Sequence, residues 1–207
     1  PVYLAERGRP APSILTIHNI AFQGLAPSEA LSALRLPVSG FHTRGFEYYG
    51  RISFLKAGLV YADRITTVSP TYAEELLTPA FGMGLDGVLR ERQDVLSGVL
   101  NGIDEETWDP GHDPLIKPYR SPRGKARARA ELEAEFEFPP EESTGPLCVV
   151  VSRLTEQKGL DLLLDALPAL TDRGGRLALL GAGDAGMEAA WQRVAETNPR
   201  VGVRIGY

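Results

Sequence analysis

The chain has 207 residues, 43% of them hydrophobic and 24% charged, and its formal net charge is −5. This length can bury a sizeable core and allows one or two domains. The mildly acidic balance argues against a nucleic-acid-binding or membrane-surface protein, which would carry a surplus of Lys and Arg, and no apolar run approaches the ~20 residues of a membrane-spanning helix.

Short apolar, β-branched segments alternate along the chain with amphipathic segments of helical length. In chain order, the pattern predicts a strand at 13–18, a helix at 51–62, a strand at 64–69, a helix at 70–78, a strand at 97–100, a helix at 124–136, a strand at 146–152, a helix at 160–172, a strand at 176–181, a helix at 186–198 and a strand at 201–205. Nearly continuous apolar strands between helices are typical of a parallel sheet covered on both faces, which predicts the α/β class.

The alternation is interrupted between Gly102 and Gly145, where proline and glycine are frequent around one charged helix. We interpret residues 103–145 as a connector between two Rossmann-like units at 1–102 and 146–207. Two units joined in this way are expected to face each other across a cleft.

The single cysteine, Cys148, lies in the apolar segment LCVVV, so no internal disulfide bond can form and the thiol is interpreted as a small buried hydrophobic group. No signal-peptide pattern opens the chain, and these features together indicate a reducing, cytoplasmic setting. The chain begins without methionine and ends at VGVRIGY, in a strand-to-loop transition. We therefore expect it to be an excerpt of a longer protein.

Ligands of open α/β sheets bind at the carboxyl ends of the strands, so the residues that follow each predicted strand are candidates for a site. His18 ends the first strand and precedes Asn19, while Asn101 follows the strand at 97–100 in a predicted turn. A histidine at a strand end is more often a structural hydrogen-bonding group than a catalytic one, and the pattern leaves both roles open. No His, Cys or carboxylate residues have the spacing of metal ligands, so no metal site is expected.

The segment GAGDAG places Gly181, Gly183 and Gly186 in the G-x-G-x-x-G pattern of dinucleotide-binding loops. The segment follows the second strand of its unit rather than the first, and the acidic residue expected about 20 positions later is absent. These departures argue against NAD or flavin, and an NAD-dependent enzyme is kept as an alternative. The glycines would either let a phosphate or sugar approach the backbone closely or serve a tight turn alone.

The segment SRLTEQKGLDLLL places Arg153 and Lys158 directly before the helix predicted at 160–172. The start of a helix carries a partial positive charge, so cations are unfavourable there and a negative group is expected to compensate them. One interpretation is local pairing with Glu156 or Asp161, which as a surface interaction is worth ~0–1 kcal/mol. The other is a diphosphate held by both cations at the helix N-terminus, and the spacing permits either.

Five blocks of the sequence resemble the bacterial glycogen synthases and plant starch synthases: TIHNIAFQG, GRISFLKAGLVYADRITTVSPTYAEEL, LSGVLNGIDEETWDP, VVSRLTEQKGLDLLLDALPAL and LALLGAGD. The resemblance extends in order over most of the chain and is weakest at 111–145. It implies two Rossmann-like domains of the GT-B type and an enzyme that transfers glucose from ADP-glucose to the non-reducing end of an α-1,4-glucan. The resemblance further implies a transfer that retains the configuration of the sugar and uses no metal or other cofactor. ADP-glucose, ADP and glycogen are the implied partners.

The resemblance also implies roles for individual residues. Arg153 and Lys158 match the Arg and Lys that contact the donor diphosphate in this family. His18 matches the histidine beside the transferred glucose, with Asn19 nearby, and Asn101 matches the asparagine at the domain junction. The predicted catalytic residues are therefore the two cations and the histidine.

Three further positions are predicted to bind the donor. Tyr207 closes the segment IGY, whose tyrosine lies against the adenine in the family, and Gly181 and Gly183 are expected to let the donor approach the backbone. Without a metal, protein cations have to neutralise the departing ADP, which is an electrostatic form of catalysis. Closure of the two domains is expected to bring the histidine towards these cations and to exclude water.

Two segments of the family are absent from the sequence: a KTGGL loop expected before it and an E-x-x-x-C-G-L block expected after it. The chain is therefore expected to contain the rear of the first domain, the connector and the front of the second domain, with both domains incomplete. A truncated, non-catalytic nucleotide-sugar-binding fragment is an alternative function. Open sheet edges would also favour self-association of the chain.

Overall fold

The computed structural model describes residues 1–140 and 145–206. The chain divides into two compact units, Pro1–Ile103 and Asp104–Tyr207, so most of the predicted connector lies within the second unit. None of the helices in the described part of the chain is long and apolar enough to cross a membrane.

The first unit contains two small sheets and five short α-helices within the described residues. Its elements are α1 (Val2–Glu6), β1 (Ile14–Ile17), β2 (Leu25–Pro27), α2 (Ala30–Ala33), β3 (Glu47–Tyr48), β4 (Arg51–Ser53), α3 (Phe54–Tyr61), β5 (Arg64–Thr67), α4 (Pro70–Glu75), α5 (Asp86–Glu91) and β6 (Leu96–Gly98). The three strands predicted in this unit are found within two residues of their predicted ends.

A parallel sheet of order β1-β5-β6 organises the first unit, with Ile17 opposite Thr67 and Thr67 opposite Gly98. The buried side chains that pack on it are Ile17, Ile20, Leu59, Ile65, Leu76, Leu85 and Leu89. The buried hydroxyl of Thr67 donates a hydrogen bond to the carbonyl oxygen of Ile17 (2.8 Å), so this polar group is satisfied in the core. Because the strands are parallel, their carboxyl ends lie at one edge of the sheet.

The predicted helix at 51–62 is wrong at its first three residues. These residues form β4, the middle strand of a small antiparallel sheet of order β2-β4-β3. Helix α3 begins after Ser53, whose hydroxyl accepts a hydrogen bond from the backbone N–H of Lys56 (3.0 Å). Serine is favoured at this position because its side chain satisfies one of the free N–H groups of the first helical turn.

Asp63 joins the beginnings of two neighbouring strands of the parallel sheet. Its carboxylate accepts hydrogen bonds from the backbone N–H of Ser13 (2.7 Å), from the hydroxyl of Ser13 (2.9 Å) and from the guanidinium of Arg9 (3.0 Å). The two bonds from Ser13, together with the charge of Arg9, hold the pKa of Asp63 below its ordinary value. The ionised carboxylate is therefore the form that fits the fold.

We expect the substitution Asp63→Asn to flatten the acid side of the stability profile. Because the pKa of Asp63 is lower in the folded chain than in the unfolded chain, its contribution is complete above the unfolded value and is lost as the pH falls through the folded value. Urea unfolding measured from about pH 2 to about pH 6 would report this slope. The matched control is Asp165→Asn, at an exposed carboxylate without a hydrogen-bond partner among the described residues. An unchanged slope in Asp63→Asn would contradict the assignment.

The second unit is built around another parallel sheet, of order β7-β8-β9. Its elements are α6 (Lys125–Glu135), β7 (Leu147–Val151), α7 (Leu160–Thr171), β8 (Arg176–Gly181), α8 (Ala185–Thr197) and β9 (Val201–Ile205). All three strands and all three helices were predicted, each within two residues of its ends. Two parallel sheets with flanking helices confirm the predicted α/β class.

Only the middle strand of this sheet is covered on both faces, which corrects the expectation for the whole sheet. Five of the six residues of β8 are buried, whereas Val149 and Val151 on the edge strand β7 are 53% and 67% exposed. Cys148, which directly precedes Val149 in the strand, is half-buried and packs against the core of the unit, as expected for a small hydrophobic group. Self-association through this open edge stays a prediction.

Helix α6, which the sequence places in the connector, packs against the sheet of the second unit. The side chain of Glu133 on α6 bridges Arg129 (2.9 Å) and the buried Arg176 at the start of β8 (3.2 Å). Gly202 on β9 provides the space for the ring of Phe136, since a Cβ at this glycine would lie 2.5 Å from the ring. The connector helix is therefore anchored by both charge and packing.

Candidate functional site

Three predicted site residues lie in the first unit, at the carboxyl edge of its parallel sheet. His18 directly follows β1, and its exposed ring has no hydrogen-bond partner within residues 1–140 and 145–206. Asn101 lies three residues beyond β6 at the same edge, and the turn predicted there is absent, since 99–104 have neither regular structure nor a turn. In the sheet, β5 lies between β1, which precedes His18, and β6, which precedes Asn101. The axes of β1 and β6 are therefore about 10 Å apart.

The turn after His18 is held by local hydrogen bonds. The side-chain oxygen of Asn19 accepts a hydrogen bond from the backbone N–H of Ala21 (3.0 Å), which is an Asx turn. The backbone N–H of Ile20 donates to the hydroxyl of Tyr72 on α4 (3.2 Å), which connects the turn to the helix that follows β5. Tyr72 was not singled out from the sequence, although it lies in the block TTVSPTYAEEL.

A buried lysine was also missed. Lys56, in the first turn of α3, is 6% exposed, and its ammonium group donates hydrogen bonds to the backbone carbonyls of Thr43 (2.7 Å) and Glu47 (2.6 Å). Burial lowers the pKa of Lys56, and the charge of Glu47 partly offsets this shift. The ammonium thus fixes the backbone at 43–47. Its only sequence signal is its place inside the apolar segment SFLKAGL, where a charge is unexpected.

The second unit carries Arg153 and Lys158 in the connection between β7 and α7. Leu154 is fully buried and pairs with the following connection through a bridge to Gly183. This contact fixes the backbone directly after Arg153. Lys158 ends a short 3₁₀ helix, and Gly159 then adopts the left-handed conformation (φ +67°) from which α7 starts. Both cations are therefore carried on a defined turn, with their side chains exposed.

Neither cation forms an ion pair with a neighbour that the structure describes. In the described part of the chain, Arg153 and Lys158 form no salt bridge, so the pairing with Glu156 or Asp161 that the spacing permits is not formed. Helix α7 has 12 residues, and its N-cap is a glycine that offers no side-chain acceptor to the free N–H groups of the first turn. Two exposed cations and an uncapped helix start together favour an anionic ligand.

The glycines of GAGDAG are explained by the approach of two backbone segments. A Cβ at Gly181 would lie 1.9 Å from the carbonyl oxygen of Ser152, and a Cβ at Gly183 would lie 2.5 Å from that of Leu154. Neither glycine has a positive φ, so a left-handed backbone conformation is not the reason for them. They let the connection after β8 pack against the turn that carries Arg153. Contact of either glycine with a donor stays a prediction.

The start of α8 differs from the start of α7 because its own acidic side chains occupy it. Asp184 accepts hydrogen bonds from the backbone N–H groups of Gly186 (3.0 Å) and Met187 (3.1 Å). Glu188 accepts one from the backbone N–H of Gly183 (2.7 Å). These are the amides that would bind a pyrophosphate in a dinucleotide site, and two carboxylates there repel phosphate. The geometry therefore argues against the NAD alternative.

A cavity of about 520 Å³ adjoins these two connections and is lined by Thr155, Glu156, Gln157, Asp184 and Met187. Its volume is in the range of small-molecule sites. Tyr207, the predicted adenine contact, lies outside the described residues. Among the described residues, no group of three or more His, Cys, Asp or Glu side chains is arranged to hold a metal ion.

The resemblance found in the sequence is confirmed by comparison with known proteins. A family model described as the starch synthase catalytic domain matches residues 1–91. The glycogen synthase of Paracoccus denitrificans is 58% identical over 208 residues, and that of a Jannaschia species is 53% identical over 207 residues. In each case the whole chain is matched to 43% of the relative, so the chain spans less than half the length of these proteins.

The structure of the chain is also similar to that of a starch synthase. The catalytic domain of starch synthase IV from Arabidopsis thaliana, solved with ADP and acarbose, superposes on the whole chain with a TM-score of 0.88 at 27% identity. The chain covers 44% of that structure. This likeness agrees with the GT-B type of fold that the sequence resemblance implies.

Proposed function

We propose that this chain, which is related over its whole length to the glycogen and starch synthase family, supplies part of an enzyme that elongates an α-1,4-glucan. The enzyme would transfer glucose from ADP-glucose to the non-reducing end of the glucan with retention of configuration. The donor diphosphate would bind at the start of α7, between Arg153 and Lys158. The single half-buried cysteine supports a reducing, cytoplasmic setting.

The observation that carries this proposal is the pair of cations without an ion-pair partner in the described structure, at the turn between β7 and α7. Arg153 and Lys158 are exposed and have no ionic partner within the described residues, and the helix that follows them lacks an acidic or hydroxyl cap. A planar guanidinium and a compact ammonium suit a diphosphate, since one offers paired donors and the other a mobile point charge. As the bond from glucose to the diphosphate breaks, both cations would stabilise the charge that develops on ADP.

The residues of the first unit would serve the sugar. The exposed ring of His18 lies at the carboxyl edge of the parallel sheet without a hydrogen-bond partner among the described residues, and the turn through Asn19 is fixed by Tyr72. An imidazole in this setting can donate to a hydroxyl of the transferred glucose or accept from it. Asn101 would contribute from the same edge.

Calorimetric titration of the 207-residue chain with ADP, ADP-glucose and NADH tests the donor assignment. We expect saturable binding of ADP and ADP-glucose and no heat of binding for NADH, because carboxylates occupy the start of α8. Transfer of labelled glucose from ADP-glucose to glycogen, measured on the same sample, then separates turnover from binding alone. Binding of NADH in preference to ADP would overturn the proposal.

A further inference from the structure

A concentrated positive charge in the second unit has no role in the proposed reaction. Residues 115–130 contain six Lys or Arg side chains and no Asp or Glu, although the chain as a whole is acidic. Two of the six are paired, Lys117 with Glu131 (3.3 Å) and Arg129 with Glu133 (2.9 Å). The side chains of three others have no hydrogen-bond or ionic partner in the described ranges, namely Arg123, Lys125 and Arg127.

Two of the six cations, Arg120 and Lys125, line a cavity of about 510 Å³. Its polar lining consists of Asp109, His112, Tyr119, Arg120, Ser121 and Lys125. All of these residues belong to the second unit, and they are distinct from the turn that carries Arg153 and Lys158. The volume exceeds that of a single inorganic anion and is in the range of small-ligand sites.

The one acidic residue in the described lining of this cavity is already engaged. Asp109 accepts hydrogen bonds from the backbone N–H of Gly111 (2.7 Å) and from Nδ1 of His112 (2.5 Å). These two bonds hold the pKa of the Asp109 carboxyl below its ordinary value. With Nδ1 donating to Asp109, Nε2 of His112 accepts from the guanidinium of Arg120 (3.3 Å). Asp109 and His112 therefore orient Arg120 rather than offer acceptors to a ligand.

The remaining polar groups of the lining can all donate hydrogen bonds. The side chains of Tyr119, Ser121 and Lys125 have no partner in the part of the chain that the structure describes. Arg120 has several further N–H donors besides the one directed at His112. A cavity with an excess of donors, including two full positive charges, is complementary to a ligand that is rich in acceptors and negatively charged.

The backbone shapes this cavity. The N–H of Tyr119 donates to the carbonyl oxygen of Pro110 (3.0 Å), which closes the loop 110–119. A Cβ at Gly124 would lie 2.4 Å from the Cβ of Tyr119, so only glycine lets the tyrosine pack at this place. A Cβ at Gly111 would likewise lie 3.1 Å from the carboxylate of Asp109. The wall formed by Tyr119 thus depends on Gly124, whereas a small shift of Asp109 would relieve the contact at Gly111.

We propose that this cavity binds a phosphate group, either free or as the monoester of a small molecule. Phosphate is a compact dianion with several acceptor oxygens, which suits Arg120 and Lys125 together with the hydroxyls of Ser121 and Tyr119. A bound phosphate would also offset the unfavourable position of Lys125 in the first turn of α6. The surplus volume beyond the anion would hold the organic part of an ester.

Residue-resolved NMR of the 207-residue chain tests this proposal. We expect inorganic phosphate, added at constant ionic strength, to give saturable shifts at residues 109–125 below about 10 mM. Lys125→Gln and Arg120→Gln should each weaken this binding about 10-fold, since each removes a charged donor. Arg127→Gln is the matched control, because it removes an exposed, unpartnered cation of the same helix outside the cavity. It should change the affinity by less than about twofold.

Phenyl phosphate distinguishes the two sources of the anion. Tighter binding than inorganic phosphate would assign the site to esters, and equal binding would assign it to free phosphate. Lys158→Gln should leave the affinity at 109–125 unchanged, which keeps this site separate from the proposed diphosphate site. Shifts that do not saturate, or an equal loss of affinity in Arg127→Gln and Lys125→Gln, would reduce the feature to a diffuse basic surface and overturn the proposal.

Discussion

Replacement of Lys158 by glutamine is expected to lower kcat for glucosyl transfer about 100- to 1000-fold, because it removes a charge that acts mainly in the transition state. Negative charge grows on the diphosphate as the bond to glucose breaks. The exposed ammonium has no other ionic partner among the described residues, so its charge is available to that anion. Arg153→Gln should have an effect of the same order. The KM for glycogen should change little, since neither cation is proposed to contact the acceptor.

A chimeric enzyme allows kcat to be measured in a complete protein. The 207 residues would replace the matching segment of the Paracoccus denitrificans glycogen synthase, which is 58% identical over 208 residues. Arg193→Gln is the matched control, because Arg193 is exposed on α8 and its side chain has no partner in the described ranges. It should change kcat by less than about twofold. An unchanged kcat in both Arg153→Gln and Lys158→Gln would refute the diphosphate assignment.

The parallel sheets could be predicted from the sequence because each strand has an apolar segment of four to seven residues. The small antiparallel sheet could not, since β2 and β4 have three residues each and β3 has two. No alternation can be recognised over such lengths. Strand β4 could also not be distinguished from the helix that follows it, because Arg51, Ile52 and Ser53 continue the apolar spacing of that helix. Only the cap at Ser53 marks the boundary, and it could have been recognised as a favoured N-cap residue.

Site residues could be predicted where the evidence is their charge and their position relative to a helix in the sequence. They could not be predicted where the evidence is the close contact of two backbone segments that are distant in the sequence. Arg153 and Lys158 could be singled out because cations before a helix contradict the helix dipole. The reason for Gly181 and Gly183 could not be predicted from the sequence. The carbonyl groups of Ser152 and Leu154, on another connection, exclude a side chain at these two positions. The cap at Asp184 was accessible to sequence reasoning, because an aspartate directly before a helix is a favoured N-cap. That cap would already have argued against a dinucleotide.

The predicted donor turn depends on the packing beneath it, and Trp191 is the largest side chain in that packing. Trp191 is fully buried on α8 and belongs to the same core cluster as Leu154 and Leu160. Leu154 directly follows Arg153, and Leu160 lies two residues after Lys158. We expect Trp191→Ala to lower the free energy of unfolding by about 3–5 kcal/mol, because it removes a large apolar contact and leaves a cavity. Urea unfolding followed by circular dichroism would measure this loss.

The chain contains its own control, since it has two tryptophans and the other, Trp108, is 75% exposed. Trp108→Ala should change the free energy of unfolding by less than about 0.5 kcal/mol. Trp191→Phe should cost less than Trp191→Ala, because the indole N–H of Trp191 has no hydrogen-bond partner in the described structure and only volume is lost. Equal destabilisation by the two alanine variants would contradict the core assignment. If the assignment holds, Trp191→Ala should also weaken ADP binding, because Leu154 and Leu160 would no longer hold the backbone of the turn in place.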